Sequence, residues 1–293
     1  MIWTTHETRV VELINGRDLA WTEFGAPSGV PVFAFHGSLG QGWDFLNQHE
    51  VAYARGVRLI AVDRPGYGHS TFDPTRSFES WANDVRQLAD HLRMDRFGVV
   101  GVSSGGSCVA AVAHFIGERL TGAAIMSGPA PPEARVSIQG MQQTNKAAQH
   151  LLRFVPWLLI PVMSFGMRRA QRAPEQMIEW MTRSMPSADV NVISRPEVRG
   201  LMIRNFQRRV APTAIRAARQ DFAMEAKPWG FRLRDIDTHV HVWHGGADRN
   251  VPSANGEYLS EAIPNATMHL LAEEGHTLFH NHFDEILALI TLG

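Results

Sequence analysis

The chain has 293 residues, 44% of them hydrophobic and 19% charged, with a net charge of −1. At roughly 150 residues per domain, this length permits one large domain or a core with an inserted piece, and the composition excludes a disordered or fibrous chain. A near-neutral charge offers no overall basic surface for nucleic acid, and the single cysteine, Cys108, excludes an intrachain disulfide and a Cys-based zinc site.

Residues Met1 to Arg9 lack a basic start followed by an apolar run, so no signal peptide is expected and the expected compartment is the cytoplasm. Two β-rich stretches follow, Thr8 to Ile14 and Leu19 to Phe24, with Asn15-Gly16 between them as a hairpin signal. Short apolar runs then alternate with amphipathic stretches. Val32 to Phe35, Val57 to Val62, Phe97 to Val102, Leu120 to Met126 and Val240 to Trp243 read as buried strands. Val85, Leu88, Ala89 and Leu92 have helical spacing, and Ser104 to Ile116 is a small-residue helix directly after a strand. Such βαβ alternation predicts a mostly parallel sheet with helices on both faces.

The rhythm breaks between Pro131 and Trp229, where proline-punctuated helical segments predict an inserted helical cap over residues 131–230. The core is then 1–130 and 231–293. Phe154 to Met167 is apolar but shorter than the ~20 residues of a membrane span, and Pro156 and Pro161 interrupt it. No transmembrane segment is expected. Charge divides unevenly: residues 131–230 hold fifteen Arg or Lys against seven Asp or Glu, and the remainder holds thirteen against twenty-two. After the insertion, a helix near Asn255 to Ile263, a strand near Met268 to Leu271 and a C-terminal helix from Leu278 to Leu292 restore the rhythm and bring the strand total to eight.

Gly101-Val102-Ser103-Ser104-Gly105 lies between an apolar strand and a small-residue helix. A turn this sharp strains its apex and needs small neighbours, which Gly101, Gly105 and Gly106 supply, leaving Ser103 at the sheet's carboxyl edge. A serine nucleophile needs a base and an acid to orient it. His244-Gly245-Gly246-Ala247-Asp248 follows one strand and Glu274-Gly275-His276 follows the last, which places Asp248 and His276 on the same edge.

With these motifs in that chain order, the sequence resembles the α/β-hydrolase superfamily through its whole core, about two-thirds of the chain. The resemblance implies the α/β-hydrolase fold, an eight-stranded mostly parallel sheet with an inserted cap, and a triad of Ser103, His276 and Asp248. It also implies an oxyanion hole from the backbone N–H groups of Ser38, in His36-Gly37-Ser38, and of Ser104. The loop Asp63-Arg64-Pro65-Gly66-Tyr67-Gly68-His69-Ser70 resembles the family's D-x-P-G-x-G-x-S segment and is read as structural. Glu133 is the alternative acid, since some members place it after the sixth strand, where Ser127-Gly128-Pro129 offers no carboxylate. His269, His280 and His282 are rivals to His276.

His239 and His241 alternate on one strand face without partners at metal-ligand spacing, so they are read as packed histidines and no metal is expected. Cys108 is read as a small packed residue. Leu39, Trp157, Met163 and Trp180 are assigned to the substrate pocket, with the Met and Trp residues of the cap shared between its own core and that wall. A serine at position 103 departs from the aspartate nucleophile of haloalkane dehalogenases and most epoxide hydrolases. Proline iminopeptidase motifs are not matched.

The expected activity is hydrolysis of a carboxylic ester of a small molecule through an acyl-enzyme, without a cofactor. The runner-up is carbon–carbon bond hydrolysis, against which stand Leu39-Gly40 and Thr277, where such enzymes carry Pro-Gly and Trp. A non-catalytic ligand-binding role is the alternative from another class. Oligomeric state stays open, a homodimer included.

Overall fold

The computed structural model describes residues 6–136, 156–207 and 213–291, with 141, 143, 146 and 147. Its centre is one sheet of eight strands: β1 (Thr8–Glu12), β2 (Asp18–Gly25), β3 (Val30–Phe35), β4 (Val57–Asp63), β5 (Phe97–Val102), β6 (Leu120–Met126), β7 (Val240–Gly245) and β8 (Ala266–Leu271). Their order is β1-β2-β4-β3-β5-β6-β7-β8. The pairs β1–β2 and β2–β4 are antiparallel and the rest are parallel.

The first strand stops at Glu12, short of the expected Ile14. Leu13 N–H donates to Arg17 O at 2.8 Å, which closes the turn around Asn15 and Gly16 before the ladder can extend.

Side-chain alternation divides the core between the two faces of the sheet. Phe33, Phe35, Ile60, Val62, Val99, Ala123, Ile125, Val240 and Val242 belong to one cluster. Their strand neighbours Val32, Ala34, Leu59, Ala61, Val100, Ala124, Met126 and Trp243 belong to the other. The helices α1 (His49–Ala54), α2 (Phe78–His91) and α3 (Ser104–Phe115) precede β6. Trp81, Val85 and Leu88 of α2 and Val109 of α3 cover the first face, while Ala52 of α1 covers the second.

Between β6 and β7 the described residues form α4 (Pro156–Arg172), α5 (Pro174–Thr182), α6 (Ser187–Ile193), α7 (Pro196–Gln207) and α8 (Ala214–Glu225). The first of these continues through Pro161, which forgoes one helical hydrogen bond. After β7 come α9 (Ala254–Ala262) and α10 (Phe279–Ile290). Phe283, Ile286, Leu287 and Ile290 of α10 join Ala52 on the second face. Among the described residues, no helix is long and apolar enough to cross a membrane.

Candidate active site

The chain leaves β3 toward β4 on one side and reaches β5 on the other, so the carboxyl ends of β3 and β5 flank a topological switch point, where open α/β sheets form crevices. Ser103 stands immediately after β5 with φ 54° and ψ −126°, a strained left-handed backbone for a residue with a side chain. Two hydrogen bonds hold it there: its N–H donates to Met126 O at 2.8 Å, and its own carbonyl accepts from Gly106 N–H at 2.8 Å. The helix that follows presses on β3 so closely that a Cβ on Gly105 would collide with the Phe35 carbonyl.

Across the crevice, a Cβ on Gly37 would lie 3.2 Å from Ser103 Cβ. The next residue, Ser38, shares a hydroxyl–hydroxyl hydrogen bond of 2.7 Å with Ser104. The two residues whose N–H groups the sequence nominates as oxyanion donors are therefore neighbours, tied through their side chains.

Asp248 and His276 meet as expected from their positions after β7 and β8. His276 Nδ1 lies 2.8 Å from Asp248 Oδ2, and Asp248 is 5% exposed. The other carboxylate oxygen accepts the N–H groups of Asn250 at 2.8 Å and Val251 at 3.0 Å, which fixes the loop. Burial opposes charge on His276, but Asp248, through its charge and its hydrogen bond, together with the charge of Asp189, raises the imidazole above its ordinary value. Burial likewise pushes Asp248 upward, but the charge and hydrogen bond of His276, joined by His244 and the Val251 N–H, outweigh it and hold the carboxyl below the usual range. Ser103 and His276 line the same cleft, without a hydrogen bond joining them among the described residues.

That cleft has a volume of about 1400 Å³. Leu39, Met163 and Trp180 stand on its wall; the side chain of Trp157 lies outside the described residues. Seven methionines also line it, Met141, Met163, Met167, Met177, Met181, Met185 and Met202, a concentration that helical periodicity alone does not reveal. Trp180 is 55% exposed.

Of the rival histidines, His280 also lines the cleft, whereas His269 and His282 do not. His269 stacks on Trp243 with ring centroids 4.1 Å apart and pairs with His241 at 3.0 Å. His239 pairs with Thr267 Oγ1 at 2.9 Å. His282 contacts Glu274 and Glu285, and His280 lies 3.3 Å from Gln48 Nε2. Glu133 is exposed. Cys108 is 6% exposed, and burial pushes its thiol upward. Among the described residues, no group of three or more His, Cys, Asp or Glu side chains is arranged to hold a metal ion.

The loop after β4 is tied to its surroundings by several hydrogen bonds. Asp63 accepts the N–H of Gly42 at 2.7 Å and that of His69 at 3.1 Å, and its carbonyl accepts the Ser70 hydroxyl at 2.6 Å. Arg64 N–H donates to His36 Nε2 at 3.1 Å, and His36 Nδ1 lies 2.7 Å from Gly37 O. This fixes the neutral tautomer of His36, whose burial and nearby Arg64 hold its pKa well below the ordinary value.

Two acidic residues on the helices between β6 and β7 reach the site without any motif to announce them. Asp189 on α6 meets the loop bearing His276. Glu225, the last residue of α8, is half-buried on the cleft wall and hydrogen-bonds Ser104 and Ser107. Burial, followed by the charge of Asp221, raises Glu225 to about 7.

The chain is 31% identical over 122 residues to the dihydrolipoyllysine-residue acetyltransferase component of the acetoin cleaving system of Pseudomonas putida. That match covers 41% of this chain and spans only 33% of the relative's length. A 2-hydroxy-6-oxononadienedioate/2-hydroxy-6-oxononatrienedioate hydrolase of Cupriavidus pinatubonensis is 26% identical over 260 residues, covering 84% of this chain and 80% of that protein. Among solved structures, the esterase RhEst1 from Rhodococcus sp. shares the fold with a TM-score of 0.68 and 21% identity, covering 98% of this chain and 99% of that one. The sequence profile of the alpha/beta hydrolase family matches residues 32–289, and this chain belongs to that family.

Proposed function

We propose that this protein hydrolyses a carboxylic ester of a small organic molecule through an acyl-enzyme. The observation that carries this reading is the 2.8 Å contact from His276 Nδ1 to Asp248 Oδ2, opening onto the cleft that Ser103 also lines. Asp248 holds the imidazole in the tautomer that leaves Nε2 free to accept the Ser103 proton. Hydrogen bonds between nucleophile and base commonly tighten only in the substrate complex.

Ser103 Oγ attacks the ester carbonyl, and the N–H groups of Ser38 and Ser104 receive the charge that develops on its oxygen. Collapse breaks the ester C–O bond, His276 returns the proton to the departing alkoxide, and a water activated by the same imidazole releases the acid. No cofactor takes part. The helices of residues 131–230 act as the cap, with Leu39, Met163 and Trp180 contacting substrate.

Carbon–carbon bond hydrolysis is the second reading, favoured by the Cupriavidus relative's match over most of the chain. The two are separated by substrate. Turnover of a short-chain aryl ester, lost in Ser103→Ala, and labelling of Ser103 by a fluorophosphonate are expected. An adduct on another residue, or wild-type turnover by Ser103→Ala, removes the proposal.

A further inference from the structure

We infer that Asp189 is a positioning residue for His276, holding from the helical insertion the loop on which the imidazole is mounted. The inference rests on the proposed hydrolytic role of His276.

Asp189 lies in the first turn of α6 and is 2% exposed. Its Oδ1 accepts both the N–H and the hydroxyl of Thr277, each at 2.8 Å. On the other side of His276, the same carboxylate occupies the space a side chain at Gly275 would need. One buried carboxylate thus clamps the residues that flank His276 in the chain. The residue making this clamp stands 88 positions earlier in the sequence, on a helix of the insertion.

Burying a carboxylate is costly unless it is hydrogen-bonded, and here the Thr277 N–H and hydroxyl supply the donors. The charged and titratable groups around His276 are Asp248 from the loop after β7, His244 at the end of β7, 3.6 Å from Asp248, and Asp189 from α6. Glu274, in the same loop as His276, is engaged by Asn281 and His282. Asp189 therefore does two things. It sets the backbone of the loop, and it adds a second negative charge favouring the imidazolium that forms when Ser103 gives up its proton.

A consequence is that the insertion and the base are mechanically joined. If α6 lifts from the core, the loop around His276 loses its clamp, so alignment of the base depends on the seating of the insertion.

Two variants separate the parts. Asp189→Asn keeps an oxygen for Thr277 and removes the charge; Asp189→Ala removes both. Aryl-ester kinetics and the rate of fluorophosphonate labelling at Ser103 are measured from pH 5 to 9, with thermal melting as the folding control. His276 must be neutral to act as base, so the acid limb of kcat/KM follows its titration. Asp189→Asn is expected to move that limb to lower pH. Asp189→Ala is expected to lower kcat by about 100-fold, with a much smaller change in KM, as displaced catalytic groups do.

An acid limb unchanged in Asp189→Asn, or wild-type kcat in Asp189→Ala, overturns the inference. Wild-type protein that fails to label at Ser103 overturns the underlying hydrolytic reading instead, so the two failures are distinct. Should Asp189→Ala not fold, the limb of Asp189→Asn still decides.

Discussion

Arg64 Nη2 donates to the carbonyl oxygen of Gly37 at 3.0 Å and lies 3.0 Å from Asp221 Oδ2. A buried guanidinium after β4 thereby ties the loop beside Ser103 to α8, between β6 and β7. Asp221 is also met by Arg76 and by the Tyr67 hydroxyl, the latter at 2.5 Å, so the three side chains share one buried acid. Arg64→Met leaves this acid with one cation fewer and takes one donor from the Gly37 carbonyl, which keeps His36 and Gly40. Loss of one partner from a buried ion pair costs roughly 3–5 kcal/mol. Urea denaturation is expected to show a destabilisation of that order, with reduced kcat/KM for an aryl ester; unchanged values for both would refute the bracing role.

Asp248→Asn keeps the oxygen that accepts from Asn250 and Val251 and replaces the one facing His276 Nδ1 with a donor. The imidazole is then held in the wrong tautomer, for which losses on the order of 10⁴-fold in kcat are expected. Glu133→Gln, at an exposed position, should leave turnover within about twofold of wild type. Steady-state kinetics on the two variants check this, and the opposite pattern would move the acid to the start of the insertion.

Glu225 gives a prediction about stability. Its carboxyl is raised to about 7 by burial and then by Asp221, against an ordinary value of 4.5. Folding therefore takes up a proton in the window between those values, and stability declines as pH rises through it. Glu225→Gln removes the titration. The melting temperature of the variant relative to wild type is expected to climb from pH 5 to pH 8, and a difference that does not vary with pH would contradict the assignment.

Residues 131–230 carry a net charge of +8 and the rest of the chain −9. Arg169 and Arg183 stand on the cleft wall within the positive part. Such a field draws anions toward the mouth, and the Debye length contracts from about 30 Å at 0.01 M salt to about 10 Å at 0.1 M. kcat/KM for an ester bearing a free carboxylate is expected to fall across that range more steeply than for its neutral analogue. Parallel salt curves for the two would remove steering.

The parts legible in the sequence are those whose cause lies within a few residues. Alternation in Val32–Phe35 and Val57–Asp63 fixes two faces, and the glycines around Ser103 answer to a turn that only small residues allow. Asp248 and His276 could be nominated because each follows a strand end, and strand ends share an edge in a parallel sheet. Asp189 and Glu225 could not be found this way. Each sits on an ordinary amphipathic helix, and its role exists only because that helix docks against a loop far away in the chain. The methionines posed the same difficulty: helical spacing marks an apolar face without saying whether it meets protein or an open cleft.

Those methionines bear on how the cleft can discriminate. Thioether side chains are unbranched and polarizable, and they re-pack at small cost around guests of different outline. A wall that includes seven of them would conform to what enters instead of rejecting it by shape. Selection among molecules would then fall to the end of the cleft where Arg64 holds the loop at Gly37 and two backbone hydrogen bonds hold the turn at Ser103. The tolerant surface would set what can be admitted, and the stiff one which bond can be presented.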